Sequence, residues 1–369
     1  MKSSFCVLLT ICFATEAHAF EISTPVSHSC HEDLTLDAQR SARFPEPAEA
    51  PTPTEDQRRA MNDLVFALPN DDAWSLALFI GVRSNDLGSN APTNLDGLFH
   101  VHDDPAQQPA HCIRRQEDDG PVGDATALAA CREFILGELE AGGLLDDIVD
   151  FDVTEQVESY FRFRGVYTIA LPRFAYRLGR ATHAMQDVYT HTMRDPDTGA
   201  VRHVLNWIDA FGGSSYDQEK DGYPHLSGLD DCLREDTHQA LRINRARQAS
   251  IDMFAAITRP GAGRRDRVTA VVDAALVLTP GCDASNNYCD APELGEPTEI
   301  RSFGCSVPGD SGAATMLVIG LVVLGGRRRR QLLLGASTLA FVMLGIGAPT
   351  ARAQSPTPAP QPAPAPAPA

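Results

Sequence analysis

The stretch from Tyr167 to His191, "YTIALPRFAYRLGRATHAMQDVYTH", limits the fold more than any other part of this chain. Its apolar residues recur at spacings of three and four, the mark of a helix with one face in a core. On that helix His183, Asp187 and His191 follow one another at intervals of four. At about 100° per residue, setting His183 at zero puts Asp187 near 40° and His191 near 80°. Phe174, Leu178, Ala181, Met185 and Val188 fall near 140–220° on the same wheel. The polar trio therefore borders the apolar stripe and is expected to be half-buried. A lone charge is costly there, and a bound metal ion is a good partner. The competing reading is a solvated helix face with an i,i+4 His–Asp pair.

Such a helix needs others to cover it, and the chain supplies them. "EDQRRAMNDLVFAL", "DAWSLALFIGV", "DATALAACREFILGELEAGGLL" and "DCLREDTHQALRINRARQASIDMFAAITR" all carry helical spacing, and Asp124 stands near the start of the third. The proline-rich segment 45–56 reads as a linker or surface loop that ends in a helix start at Thr54. No alternating strand pattern of useful length is evident. The expected class is all-α, a multi-helix bundle of about eight helices. Segments 84–122 and 192–232 are too long for plain connectors and are expected to be site-building loops.

Both ends lie outside that fold. Residues 1–19 hold Lys2, an apolar run and Ala17-His18-Ala19, a secretory signal peptide with cleavage expected before Phe20. Residues 20–260 form the expected helical domain and 261–304 a cysteine-containing appendage and linker. In 305–330, Cys305 is followed by an apolar run, Gly312–Gly326, and then four arginines. The run is short for a membrane span of about 20 residues, and the arginines would hold its end on the cytoplasmic side. This segment resembles the C-terminal sorting signal of myxobacterial surface proteins, the MYXO-CTERM type. The resemblance implies cleavage near Cys305 and attachment at the cell surface or outer membrane. Residues 331–369 read as a second signal-like apolar segment with a Pro/Ala-rich tail.

Cys6 and Cys12 leave with the signal peptide and Cys305 belongs to the sorting segment. Cys30, Cys112, Cys131, Cys232, Cys282 and Cys289 remain, an even set that fits disulfides in an oxidising compartment. Cys282 is expected to pair with Cys289; the other pairings stay open. The formal charge of −18 repels nucleic-acid backbones and anionic lipid, so an anionic substrate has to be drawn by a local positive site.

Further metal-type residues cluster in "SHSCHEDLT", "SNDLGSN", "FHVHDDPAQQPAHCIRR" and "HVLNWIDA". Their order resembles the superfamily of zinc-dependent phospholipases C and single-strand nucleases. That resemblance implies a secreted all-α hydrolase with two or three zinc ions, and it assigns ligands. Phe20 (backbone amine and carbonyl) and His31 match the N-terminal ligands, with His28 as an alternative to His31. Asp86 matches a loop aspartate. His111 matches a loop histidine, with His100 as the alternative. His183 and Asp187 match the helical His-x3-Asp, His191 the next histidine, and His203 the last. The pattern departs at Trp207, where a carboxylate is expected, and this puts the third ion in question. Asp187 is expected to bridge two ions, and Asp86 to ligate or orient the attacking water or act as general base.

Other residues read more plainly. Arg173, Arg177 and Arg180 are a solvated or salt-bridged face, Arg180 being the one placed to reach a phosphate. His225 and His238 are surface or capping residues, Glu32 serves a helix N-terminus, and "GCDASNNYCD" is a two-cysteine turn. The expected partner is a phosphodiester, phospholipid before nucleic acid, acted on by a monomer. The alternatives are a nuclease-like enzyme and a non-catalytic zinc-binding surface module.

Overall fold

Pro172 decides where the central helix begins. The computed structural model describes residues 30–295 apart from 43–49, 65–67, 116, 119, 121, 208–220, 226–228, 230, 231 and 233–236. All of these belong to one compact unit, Ala14–Val307. Phe20, His28, the signal peptide, the sorting segment and the second signal-like segment lie outside the described residues.

Thr154–Phe161 (β1) and Gly165–Pro172 (β2) pair antiparallel, and the helix expected from Tyr167 starts only at Arg173. The described chain is mostly helical, as expected, but this hairpin and a second one qualify the all-α expectation. Proline has no N–H to give a ladder and its fixed φ suits a helix entry, so Pro172 closes the strand and stands at the helix entry without a side-chain cap. Val157, Phe161, Ile169 and Leu171 are buried while Gln156, Glu158 and Thr168 are exposed, a period of two. The alternation escapes a reading by eye because the apolar positions of β2 run directly into the helical pattern. A second short hairpin, Thr192–Arg194 (β3) with Val201–Val204 (β4), opens the segment 192–232.

Among the described residues eight helices have nine residues or more. They are Cys30–Ala42 (α1), Glu55–Asp63 (α2), Ala73–Leu87 (α3), Leu95–Asp103 (α4), Val122–Ala141 (α5), Arg173–Thr190 (α6), Thr237–Thr258 (α7) and Arg264–Ala275 (α8). The helix start at Thr54 is realised as a capping box, its hydroxyl accepting from Gln57 N–H while the Gln57 side chain accepts from Thr54 N–H. The segment 84–122 carries helical pieces between loops: α3 runs to Leu87, α4 follows, and a 3₁₀ turn spans Gln108–His111. Of the described residues beyond 260, Val268, Val272 and Ala275 of α8 join the main core.

α6 lies at the centre, packed by α3, α5 and α7. Every residue from Ala181 to Thr190 is buried. The closest packing is with α3, where Gly81 and Gly179 meet. A Cβ on Gly81 would stand 2.1 Å from the Tyr176 carbonyl oxygen, and one on Gly179 2.1 Å from that of Leu78. No side chain larger than hydrogen fits either position at this separation.

The six cysteines form three bridges: Cys30–Cys232, Cys112–Cys131 and, as expected, Cys282–Cys289. Among the described residues no helix is long and apolar enough to cross a membrane.

Candidate metal centre

Three pieces of chain converge on the C-terminal half of α6. α1 delivers His31, the end of α3 delivers Asp86, and α4 with the 3₁₀ turn delivers His102 and His111. Asn85 ties the pieces together by donating to the carbonyls of Ala110 (3.2 Å) and Arg180 (3.1 Å). Each of the two long-range disulfides sits next to a converging histidine, Cys30 before His31 and Cys112 after His111.

Two carboxylates hold the middle. Asp187 Oδ2 lies 3.0 Å from His183 Nε2 and 3.1 Å from His111 Nδ1, and its Oδ1 lies 3.2 Å from His31 Nε2. Asp86 Oδ1 lies 3.4 Å from both His183 Nε2 and His102 Nε2, and 3.7 Å from His111 Nδ1. Three overlapping groups have the spacing of an ion's ligands: His31/Asp86/His183, Asp86/His102/His111 and His111/His183/Asp187. The expectation of a half-buried trio on α6 is exceeded, since His183, Asp187 and His191 are fully buried. From Ala181 to Thr190 the helix is covered on all sides, not on one.

The outward ring nitrogens fix the tautomers. Nδ1–H of His183 donates to the Val82 carbonyl (2.8 Å), that of His102 to the Leu98 carbonyl (2.8 Å), and that of His31 to Gln186 Oε1 (2.6 Å). His191 Nδ1–H donates to the His111 carbonyl. In each case Nδ1 is engaged, which leaves Nε2 as the nitrogen free to ligate once it has lost any proton, the arrangement found around metal-ligating imidazoles. Gln186 is held in turn by Thr35 and Ser250. His183 Nε2, His111 Nε2, Asp86 Oδ1 and Asp187 Oδ1 are buried without an aligned hydrogen bond. Such atoms cost free energy unless something bonds them. An imidazole–carboxylate donor set of this kind suits zinc and neighbouring divalent ions.

Two buried carboxylates favour positive charge at the same point, and His183 carries it here. Burial opposes charge on His183, yet the Asp86 and Asp187 carboxylates outweigh it and raise its pKa to about 10. Burial likewise opposes ionisation of Asp187 and Asp86, but the His183 charge beside them holds both below the usual carboxylate range. Burial lowers His111 and His191 to about 4, which keeps these rings neutral and able to ligate.

Not every carried-over residue arrives. His203 is set apart: its Nδ1–H donates to Asp124 Oδ2 (3.0 Å) and its Nε2 accepts from the Tyr223 N–H (2.8 Å). Both nitrogens are used inside a buried network that also joins Arg114 to Asp124 (3.3 Å). Trp207, at the place of the expected carboxylate, stacks on His102 with ring centroids 5.0 Å apart and lies 5.2 Å from the His225 ring. His225 is therefore beside the site and not an ordinary surface residue, with its ring 5.0 Å from that of His191. Burial and the nearby His102 charge lower its pKa to about 3. His100 is exposed, so His111 holds the position, together with His102, which the sequence reading did not single out. One signal for His102 is in the sequence: it precedes His111 in the same cluster.

The salt-bridged reading holds for two of the three arginines, Arg173 having no ion pair among the described residues. Arg177 and Arg180 both pair with Glu138 (3.0 and 2.9 Å). Glu32 does more than serve a helix end, since it forms a buried ion pair with Arg83. No family model matches the chain, and no curated protein or solved structure does either.

Proposed function

We propose that this chain is an exported, zinc-dependent hydrolase of phosphodiesters, acting on phospholipid in preference to nucleic acid. The observation that carries the reading is the buried convergence of Asp86 and Asp187 with His31, His102, His111 and His183, with Nδ1–H groups of His31, His102 and His183 anchored away from the centre. Ions bound there would neutralise a phosphodiester and bring the pKa of a bound water toward neutrality. Asp187 reaches His31 with one oxygen and His111 and His183 with the other, so it is the residue suited to bridge. Asp86, near the edge of the cluster at 6% exposure, is suited to orient a water and take its proton. The charge of −18 favours a lone phosphodiester over a polyanionic strand. The same chemistry and the oxidised cysteines fit the family resemblance drawn from residues 20–210 and export to the cell surface.

One observation favours a second reading, a surface module that keeps zinc without turnover. Trp207 covers His102 where a further carboxylate would stand. Hydrolysis of a chromogenic phosphodiester separates the two. The enzyme is expected to show turnover that EDTA abolishes, and Asp187→Ala is expected to lose activity and at least one zinc. Tightly bound zinc with no turnover on lipid or nucleic acid selects the second reading.

A further inference from the structure

The tip of the β1–β2 hairpin is built for a different partner. Three residues, Arg162, Phe163 and Arg164, make the turn, and Gly165 closes it at φ 70°, the left-handed position of a three-residue hairpin loop. Phe163 is 73% exposed and Val166 51% exposed. Val166 pairs across the hairpin with Tyr160, so two residues of the outer face continue the apolar surface of the turn. One step further back the same face becomes polar, with Glu158 opposite Thr168. The apolar part is thus a shallow patch at the exposed turn of a hairpin whose inner face, Val157, Phe161, Ile169 and Leu171, lies in the core.

Its charge is opposite to that of the whole chain. Arg162 lies over the Phe163 ring at 5.3 Å and has no ion pair among the described residues. Arg164 is held by Asp63 at 2.8 Å. An aromatic flanked by arginines whose stems run along apolar surface is the pattern of an interfacial anchor, with rings among the upper acyl chains and guanidinium at the phosphates.

We propose that this tip inserts into a phospholipid surface. A second copy of the chain is a poorer occupant, because the tip offers roughly 200–300 Å² where a stable interface needs about 800 Å² per partner. Arg162 supplies the complementarity to lipid phosphate that a chain of charge −18 otherwise lacks. This inference does not rest on the metal centre, and its test reads lipid contact without turnover.

The test uses the full chain carrying Phe163→Trp, with vesicles of three parts phosphatidylcholine to one part phosphatidylglycerol brominated on the acyl chains. The added indole is expected to shift to the blue and to be quenched beyond the signal of Trp74 and Trp207 in the parent chain. Adding Arg162→Gln is expected to weaken that quenching about fivefold in vesicle titration at low salt, the effect of one surface cation. An indole that stays water-exposed and unquenched overturns the proposal even if the chain is bound through its ends. A blue shift that instead follows chain concentration without vesicles, with a dimer in sedimentation, also overturns it and assigns the tip to self-association.

Discussion

At the scale of single residues, the site is decided by which ring nitrogen is already engaged. His183 and His203 are both buried histidines near carboxylates. His183 spends Nδ1 on a backbone carbonyl and keeps Nε2 for the centre, whereas His203 spends both nitrogens on Asp124 and Tyr223. Spacing along the chain cannot distinguish the two, which is why His203 was carried over as a ligand. The same logic picks out Gln186, which no sequence motif marks. It accepts the His31 Nδ1–H and is itself fixed by Thr35 and Ser250. Gln186→Leu is expected to weaken zinc binding about 10–100-fold, the usual effect of removing a ligand's supporting partner. Competition with a chromogenic chelator measures it, and an unchanged affinity refutes the role. Trp207→Glu restores a carboxylate four residues after His203. The metal count is expected not to rise, because His203 remains bound to Asp124 and Tyr223. An additional ion per chain in elemental analysis contradicts that.

At the scale of elements, the centre depends on how closely α3 and α6 approach. The Gly81–Gly179 contact sets that approach and with it the 3.4 Å between Asp86 and His183. Gly179→Ala puts a methyl against the Leu78 carbonyl. It is expected to cost about 1–3 kcal/mol of stability by overpacking and to lower zinc retention, as read by chemical denaturation and metal content. Unchanged stability and loading show that the two helices can part without consequence. The helices α2, α3, α5 and α6 were legible because their apolar spacing is sustained and, for α2, because Thr54 and Gln57 form a cap. The β1–β2 hairpin was not, since its alternation is brief and merges with the start of α6. Full burial of His183, Asp187 and His191 was also illegible. A helical wheel assumes one covered face, and the half of α6 from Ala181 to Thr190 is buried on every side.

At the scale of the molecule, six cysteines placed in three bridges accord with an oxidising compartment. Two of these bridges fasten the chain beside His31 and His111, so the covalent frame and the candidate centre share their anchor points. The family resemblance named five of the six residues whose atoms lie at ligand spacing, His31, Asp86, His111, His183 and Asp187, and omitted His102. Whether this frame holds metal is decided by mass-spectrometric metal analysis of the purified, folded chain. At least two zinc ions per chain are expected, falling below one in Asp187→Ala. A folded, disulfide-bonded chain that carries no metal and takes none up from micromolar zinc contradicts the account.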